Sequence, residues 1–232
     1  MERSNELEMM DGRDNPRELL EGDLKNLRHL NRYLGGTRAL CRALAPVVAQ
    51  DDVARLKFLD VGAGSGDLAA EIVRWCARHG VVAEVVTVER DPITAALAAR
   101  RNRAIRGITS LRADAAALPF APRSFDCVIA SQFLHHFTER QIIELLRAWA
   151  GLARRAIIVS DLVRHPVAYY GIRALTRLCT RNVMTLTDAP LSVRRAFTIR
   201  EWREIFHRAA VGRVTVEPLL PFRIGARIEV KN

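Results

Sequence analysis

The sequence predicts an α/β fold: a mostly parallel sheet covered by helices on both faces, in one domain. Three observations predict it. The run FLDVGAGSGD, Phe58 to Asp67, reads as a buried strand that ends in a glycine-rich turn and opens into a helix. Strand-like apolar runs then alternate with helical patterns along the chain, as crossover connections between parallel strands require. The length, 232 residues of which 49% are hydrophobic, is enough to bury a substantial core without a second domain.

The elements follow in order. From Glu18 to Leu44 the pattern is helical, with Leu24, Leu27, Leu30 and Leu34 on one face and a Gly35-Gly36 break in the middle. After the first strand, DLAAEIVRWCARHG places Leu68, Ile72, Trp75 and Cys76 at helical spacing, with Gly80 as the stop. The run Val85 to Val88 ends in Glu89, and Asp91-Pro92 reads as a helix N-cap followed by proline at the first helical position. A short third strand around Thr109 to Arg112 precedes Asp114 and Ala115. The run FDCVIASQFLHHF, Phe125 to Phe137, is a fourth strand that runs out into a loop, and Thr138 to Gln141 has the capping-box pattern for the next helix. A fifth strand, Ala156 to Ser160, leads into DLVRHP and a helix from Val167 to Thr180. Thr198 to Glu201 is a second capping box, opening a helix through about Ala210, and strands around Arg213 to Pro218 and Phe222 to Val230 pair as an antiparallel hairpin.

The spacing of the glycines selects the ligand. A dinucleotide fingerprint needs G-x-G-x-x-G, with a pyrophosphate on the helix N-terminus. Here Gly62, Gly64 and Gly66 fall as G-x-G-x-G, and Asp67 stands in the place of the third fingerprint glycine, where it repels a pyrophosphate. Asp60, just before the turn, suits a ligand with a cationic amine. Glu89, at the tip of the second strand, can accept ribose hydroxyls. Asp114 can accept the exocyclic amine of an adenine, with the small Ala115 leaving room for the ring.

Together these residues resemble the class I S-adenosylmethionine (SAM)-dependent methyltransferases, most closely the small-molecule branch that includes the quinone-biosynthesis enzymes. The likeness covers roughly residues 53 to 160. It implies a Rossmann-like seven-stranded methyltransferase sheet, mostly parallel with a C-terminal antiparallel hairpin, plus an N-terminal helical lid. Residues 1–50 would be the lid segment and residues 51–232 the SAM-binding domain. It further implies that Gly62, Ala63, Gly64 and Gly66 pass under the methionine and ribose of SAM. Asp60 supports the amino group, Glu89 with Arg90 beside it holds the ribose, Asp114 and Ala115 frame the adenine, and Ser131 and Gln132 line the methionine side. S-adenosylhomocysteine is then the product. Ser192 to Thr198, SVRRAFT, is similar to a segment of bacterial methyltransferases encoded near polyketide enzymes.

Substrate-side residues follow from position. In a doubly wound sheet ligands bind beyond the strand ends, which makes Asp161, Arg164 and His165 candidates. If the N-terminal helices close over the acceptor, Asn31, Arg32 and Tyr33 stand near it. Methyl transfer from a sulfonium mainly needs alignment and exclusion of water. A phenol or enol acceptor also needs a base, and His135 and His136 lie at the mouth of the site, His136 nearer the helix start. O-methylation of an aromatic, quinone-like or polyketide hydroxyl is the expectation. C-methylation, an RNA acceptor and a non-catalytic SAM-binding role are the alternatives.

Composition narrows the partners. The net charge of +10 invites nucleic acid, but only Lys25, Lys57 and Lys231 are lysines among 36 basic residues, and the arginines are spread along the chain. The chain also has SQFL where amine-methylating nucleic-acid enzymes of this fold carry N/D-P-P-Y/F, so nucleic acid is not the expected acceptor. Arg173, Arg177 and Arg181 form a basic stripe that allows peripheral contact with anionic lipid. Cys41, Cys76, Cys127 and Cys179 are scattered and no metal-ligand spacing is present, so neither disulfides nor a metal is expected. Without a signal pattern or a membrane-length apolar run, a cytoplasmic protein is expected. Oligomeric state is not legible.

Overall fold

A computed structural model describes residues 1–12, 15–49 and 53–231. The strands are β1 (Arg55–Val61), β2 (Val82–Glu89), β3 (Ile108–Arg112), β4 (Phe125–Ser131), β5 (Ala153–Leu162), β6 (Gly212–Leu219) and β7 (Arg223–Val230). They form one sheet in the order β3-β2-β1-β4-β5-β7-β6. The first five strands run parallel, and β7 pairs antiparallel with both β5 and β6, as the expected hairpin requires. Strand order reverses between β1 and β4, so a crevice opens at the C-terminal ends of these two central strands.

Alternation along the central strands builds two cores. Leu59, Val61, Val128 and Ala130 face one layer, where α5 (Glu139–Leu152) and α8 (Ile199–Ala209) bury Trp149, Trp202 and Phe206. Phe58, Cys127 and Ile129 face the other, against α2 (Gly36–Val48) and α3 (Asp67–Arg78). Cys76 and Cys127 are small core residues there, as their apolar positions predict. Both capping boxes form: Thr138 accepts from Gln141 N–H and Thr198 from Glu201 N–H, each with the reciprocal side-chain bond. Asp91 caps α4 (Pro92–Asn102), accepting from Thr94 N–H at 2.8 Å.

The N-terminal helices divide at the predicted break. α1 (Arg17–Tyr33) ends before Gly35, whose φ of +80° reverses the chain into α2. Of these two helices α1 borders the crevice, while α2 packs on the sheet. Polar contacts tie α1 to α7 (Val183–Arg195), a helix the sequence reading did not place: Thr185 Oγ1 donates to buried Asp23 at 2.6 Å and Asn182 Nδ2 donates to Leu19 C=O at 2.9 Å. The expected boundary between residues 50 and 51 lies outside the described residues.

Trp149 connects the core to the crevice, because its fully buried indole N–H donates to Ala115 C=O at 3.0 Å. Trp149→Ala is expected to lower unfolding free energy by about 3–5 kcal/mol, and Trp149→Phe, which strands the carbonyl, by about 1–3 kcal/mol, read by denaturant unfolding.

Candidate active site

The crevice is a cavity of about 1250 Å³ bounded by the β1, β2 and β4 ends, α1 and α6 (Pro166–Cys179). Its floor is the glycine turn. Gly62 and Gly66 have φ of +68° and +70°, and a Cβ at Gly62 would collide with the Phe133 ring, at Gly66 with the Asn102 amide. No other residue fits either position without strain.

Around this turn the carboxylates take distinct states. Asp60 is 1% exposed and its Oδ2 has no hydrogen-bond partner. Burial, with Asp67 and Glu89 nearby, pushes its carboxyl up to about 8. Such an acid is built to meet a cation. Glu89 is held by three backbone donors, Gly64 N–H on Oε2 at 3.1 Å and Arg90 and Asp91 N–H on Oε1 at 2.7 and 3.0 Å. A carboxylate has about four acceptor sites, so Glu89 retains room for one hydroxyl rather than two. Burial raises its pKa despite those donors. Asp67 opens α3 and accepts from Ser65 Oγ at 2.7 Å. Asp114 is exposed at the rim, where its carboxylate takes Ala116 N–H at 2.9 Å, and buried Ala115 lies beside it.

Across the turn, Gln132 adopts φ +51° and Ser131 Oγ is buried without a partner. Asp60, Gly62, Ala63, Gly64, Glu89, Arg90, Asp114, Ala115, Ser131 and Gln132 all border the cavity, while Gly66 shapes the turn from behind. The residues therefore fit SAM: a partnerless buried carboxylate for its ammonium, an acceptor for its ribose, and a backbone stripped of side chains between them. Arg223 of β7 was not legible in the sequence. It is buried at the cavity wall, donates to Leu34 C=O at 2.9 Å and leaves Nη1 unpartnered. Burial lowers its pKa to about 10, against the pull of Asp161.

The histidines sit on a 3₁₀ turn, Leu134–His136, after β4. His135 is 2% exposed, and its Nδ1 lies 2.7 Å from Asp161 Oδ1. Burial pushes the Asp161 carboxyl up, but His135 and the Leu162 N–H outweigh it and hold the acid below its usual range. Asp161 thus supports a histidine and, fully buried, has no surface left for substrate. His136 Nδ1 lies 3.1 Å from Asp11 Oδ2. Glu8 points between the two rings, 3.7 Å from His135 Nε2 and 3.8 Å from His136 Nε2, and burial raises its pKa to about 7.

Glu8 and Asp11 arrive on a strap, residues 1–12, that is pinned over the turn. Arg3 donates to His135 and Phe137 C=O, Asp188 accepts from Met9 and Met10 N–H at 2.9 Å, and Ser192 donates to Glu8 at 2.9 Å. The strap was not legible either, since it has no apolar period and its partners lie about 180 residues away.

Other expected substrate residues lie outside the cavity wall. Arg32 and Tyr33 face solvent, Tyr33 79% exposed, because the helix turns them away from the leucine face; Asn31 does border the cavity. Arg164 is spent on Glu201, at 2.8 and 3.0 Å, and on Ala196 C=O. His165 caps α6, accepting from Val167 N–H, and stacks on Phe222. The apolar wall comes instead from Leu24, Leu27, Leu30 and Leu34 of α1 and from Ile172 and Leu175 of α6. Away from the cavity, α6 exposes Tyr170 and Leu178 beside Arg173 and Arg177. Among the described residues no helix is long and apolar enough to cross a membrane.

Residues 58–155 match a family model described as a methyltransferase domain. No curated protein sequence matches the chain. Similar solved structures include the plantazolicin methyltransferase BamL with a triazolic desmethylPZN analog and SAH, at TM-score 0.66 and 11% identity over 93% of this chain and 98% of that one. Human N-acetylserotonin methyltransferase with SAM matches at 0.64 and 16%, over 92% and 57%. The CurJ carbon methyltransferase matches at 0.63 and 13%, over 85% and 54%, so the chain spans about half the length of that one. At these identities the likeness is one of fold.

The state of Asp60 gives a signed prediction. Its folded pKa of about 8 exceeds the ordinary 3.8, so the folded protein binds the extra proton between these values and loses stability as pH rises through them. Asp60→Asn is expected to flatten that decline in ligand-free thermal melts between about pH 5 and pH 8 and to weaken SAM binding about 10–100-fold by calorimetry, the worth of a charge-assisted hydrogen bond.

Proposed function

We propose for this protein, a class I SAM-dependent methyltransferase, an acceptor that is a small aromatic, quinone-like or polyketide compound methylated on a hydroxyl oxygen. The observation that carries the reading is a histidine paired with a buried carboxylate, His135 with Asp161 at 2.7 Å, on the wall of a cavity with a leucine face on α1, next to the cofactor turn. Bound SAM supplies an electrophilic sulfonium methyl.

The chain's own residues do the rest. Asp60 receives the ammonium, Glu89 a ribose hydroxyl, Asp114 and Ala115 border the adenine, and Arg223 offers its free Nη1 to the carboxylate. The leucines of α1 and the inner face of α6 hold an apolar acceptor and exclude water, which fixes the acceptor atom for in-line attack. Asp161 accepts the Nδ1 proton of His135, which leaves the lone pair on Nε2, the ring nitrogen on the side of Glu8, and both residues line the cavity. His135 Nε2 takes the acceptor's hydroxyl proton as the oxygen becomes nucleophilic. Asp161 is a positioning residue, and His136, held by Asp11, stands second to His135 rather than ahead of it.

C-methylation uses the same base on a hydroxyl next to a nucleophilic carbon. Both chemistries are named among neighbours of the same fold, a carbon methyltransferase and a Nostoc punctiforme protein described as an O-methyltransferase. Extracts of strains with and without the gene, compared by mass spectrometry, should differ by a compound one methylene lighter in the deletion, which purified protein and SAM convert back. NMR of the product then assigns oxygen or carbon, and absence of any such compound would overturn the small-molecule reading.

On that acceptor, metal-free His135→Ala is expected to lower kcat about 10²–10⁴-fold while SAM affinity stays within about threefold. Added imidazole should restore part of the rate, and an unchanged kcat would remove His135 from the chemistry.

A further inference from the structure

The geometry points to a divalent transition-metal site formed by Glu8, His135 and His136 on the cavity wall. One ligand atom from each, a glutamate oxygen and the two Nε2 atoms, lie within 4.8 Å of one another. Glu8 Oε1 stands 3.7 Å from His135 Nε2 and Oε2 stands 3.8 Å from His136 Nε2, too far for a hydrogen bond. A tetrahedral ion with bonds of about 2.0–2.1 Å sets its ligands about 3.3 Å apart, so the set is within about 1.5 Å of that spacing and a turn of the carboxylate brings one oxygen to both rings.

Orientation supports the site independently of distance. A metal-bound histidine typically gives its other ring nitrogen to a carboxylate, which fixes the tautomer and aims the lone pair. Here both do: His135 Nδ1 meets Asp161 at 2.7 Å and His136 Nδ1 meets Asp11 at 3.1 Å. Glu8 is itself steadied by Ser192 at 2.9 Å. The groups facing the cluster are Asp11, Asp161 and Asp188 on the acidic side and Arg3 and Arg195 on the basic side, Arg195 Nε 3.9 Å from Glu8. Arg223 faces Asp161 from the other side, so with Glu8 four carboxylates meet three guanidiniums and the cluster keeps an excess of negative charge that favours a cation.

The ligand set, two imidazoles and one carboxylate, suits zinc, cobalt or another late first-row ion rather than magnesium or calcium. All three ligands border the cavity, so a fourth position can face it. A lone pair of His135 that binds metal cannot take a proton, so metal occupancy and base catalysis exclude each other. The site is an inhibitory switch on the proposed reaction, although metal binding itself does not depend on that reading.

The test uses resting, tag-free protein stripped with a chelator. Titration with Co²⁺ should give the visible absorption of a four-coordinate ion at one equivalent, lost on adding Zn²⁺. Glu8→Gln and His136→Asn should each weaken Co²⁺ at least tenfold. Asp11→Asn, which leaves every ligand in place, should weaken it about 10–100-fold while the circular dichroism of the folded protein is kept. No absorption, or Co²⁺ affinity unchanged in Glu8→Gln and Asp11→Asn, overturns the site. With an acceptor in hand, Zn²⁺ should inhibit wild type and a chelator should reverse it; turnover unaffected by bound Zn²⁺ would overturn the switch and leave the metal site standing on its spectrum.

Discussion

Asp60 is a carboxyl group buried at the end of the central strand with one oxygen unpartnered, and burial favours its protonated form. A group in that condition costs free energy until something positive reaches it. Much of the surrounding design follows from that cost. The turn after β1 is stripped of side chains so that a ligand can come close, and Phe133 fills the space a side chain at Gly62 would need. The next two acids stand nearby and are differently restrained, Glu89 by backbone N–H groups and Asp67 by Ser65. The crevice therefore keeps an acid that takes up its charge most readily when a cation arrives beside it.

The opposite wall is held in place by contacts within the protein. The histidine turn is held from below by Asp161 and from above by a strap whose contacts reach α7. Arg195 threads between them, donating to His136 C=O at 2.7 Å. One side of the cavity is thus poised for a charged cofactor, while the other presents two imidazoles whose tautomers are set by their neighbours. The leucine face of α1 separates these polar regions from solvent and gives the space between them its apolar character.

Local rules made the cofactor half legible. Strand, glycine turn, N-cap and capping box are written within a few residues of one another, and each physical requirement leaves its own residue type. Asp60, Glu89 and Asp114 stand where strand ends predict them, because strand ends in a parallel sheet share one edge. The acceptor half was less legible, since it is assembled from distant pieces. Asp161 was foreseen at the site but as a substrate contact; its burial against His135 depends on the register of β5 beside β4. Tyr33 and Arg32 were misplaced by the phase of a single helix turn. Glu8, Asp11, Arg195 and Arg223 carry no local pattern. Arg195 falls within SVRRAFT, a segment the sequence does mark, but nothing in its neighbours says that its guanidinium is buried.

The strap has a consequence for how the molecule comes together. Its bonds join Arg3 to Arg195 and Ser4 to Arg194, across almost the whole chain. Closing so long a loop costs entropy that only an already ordered α7 and histidine turn can offset. The sheet and its cofactor turn can form from contacts much nearer in sequence. The strap contacts are thus the most distant in sequence of those that shape the site, and the cofactor turn does not depend on them for its own hydrogen bonds.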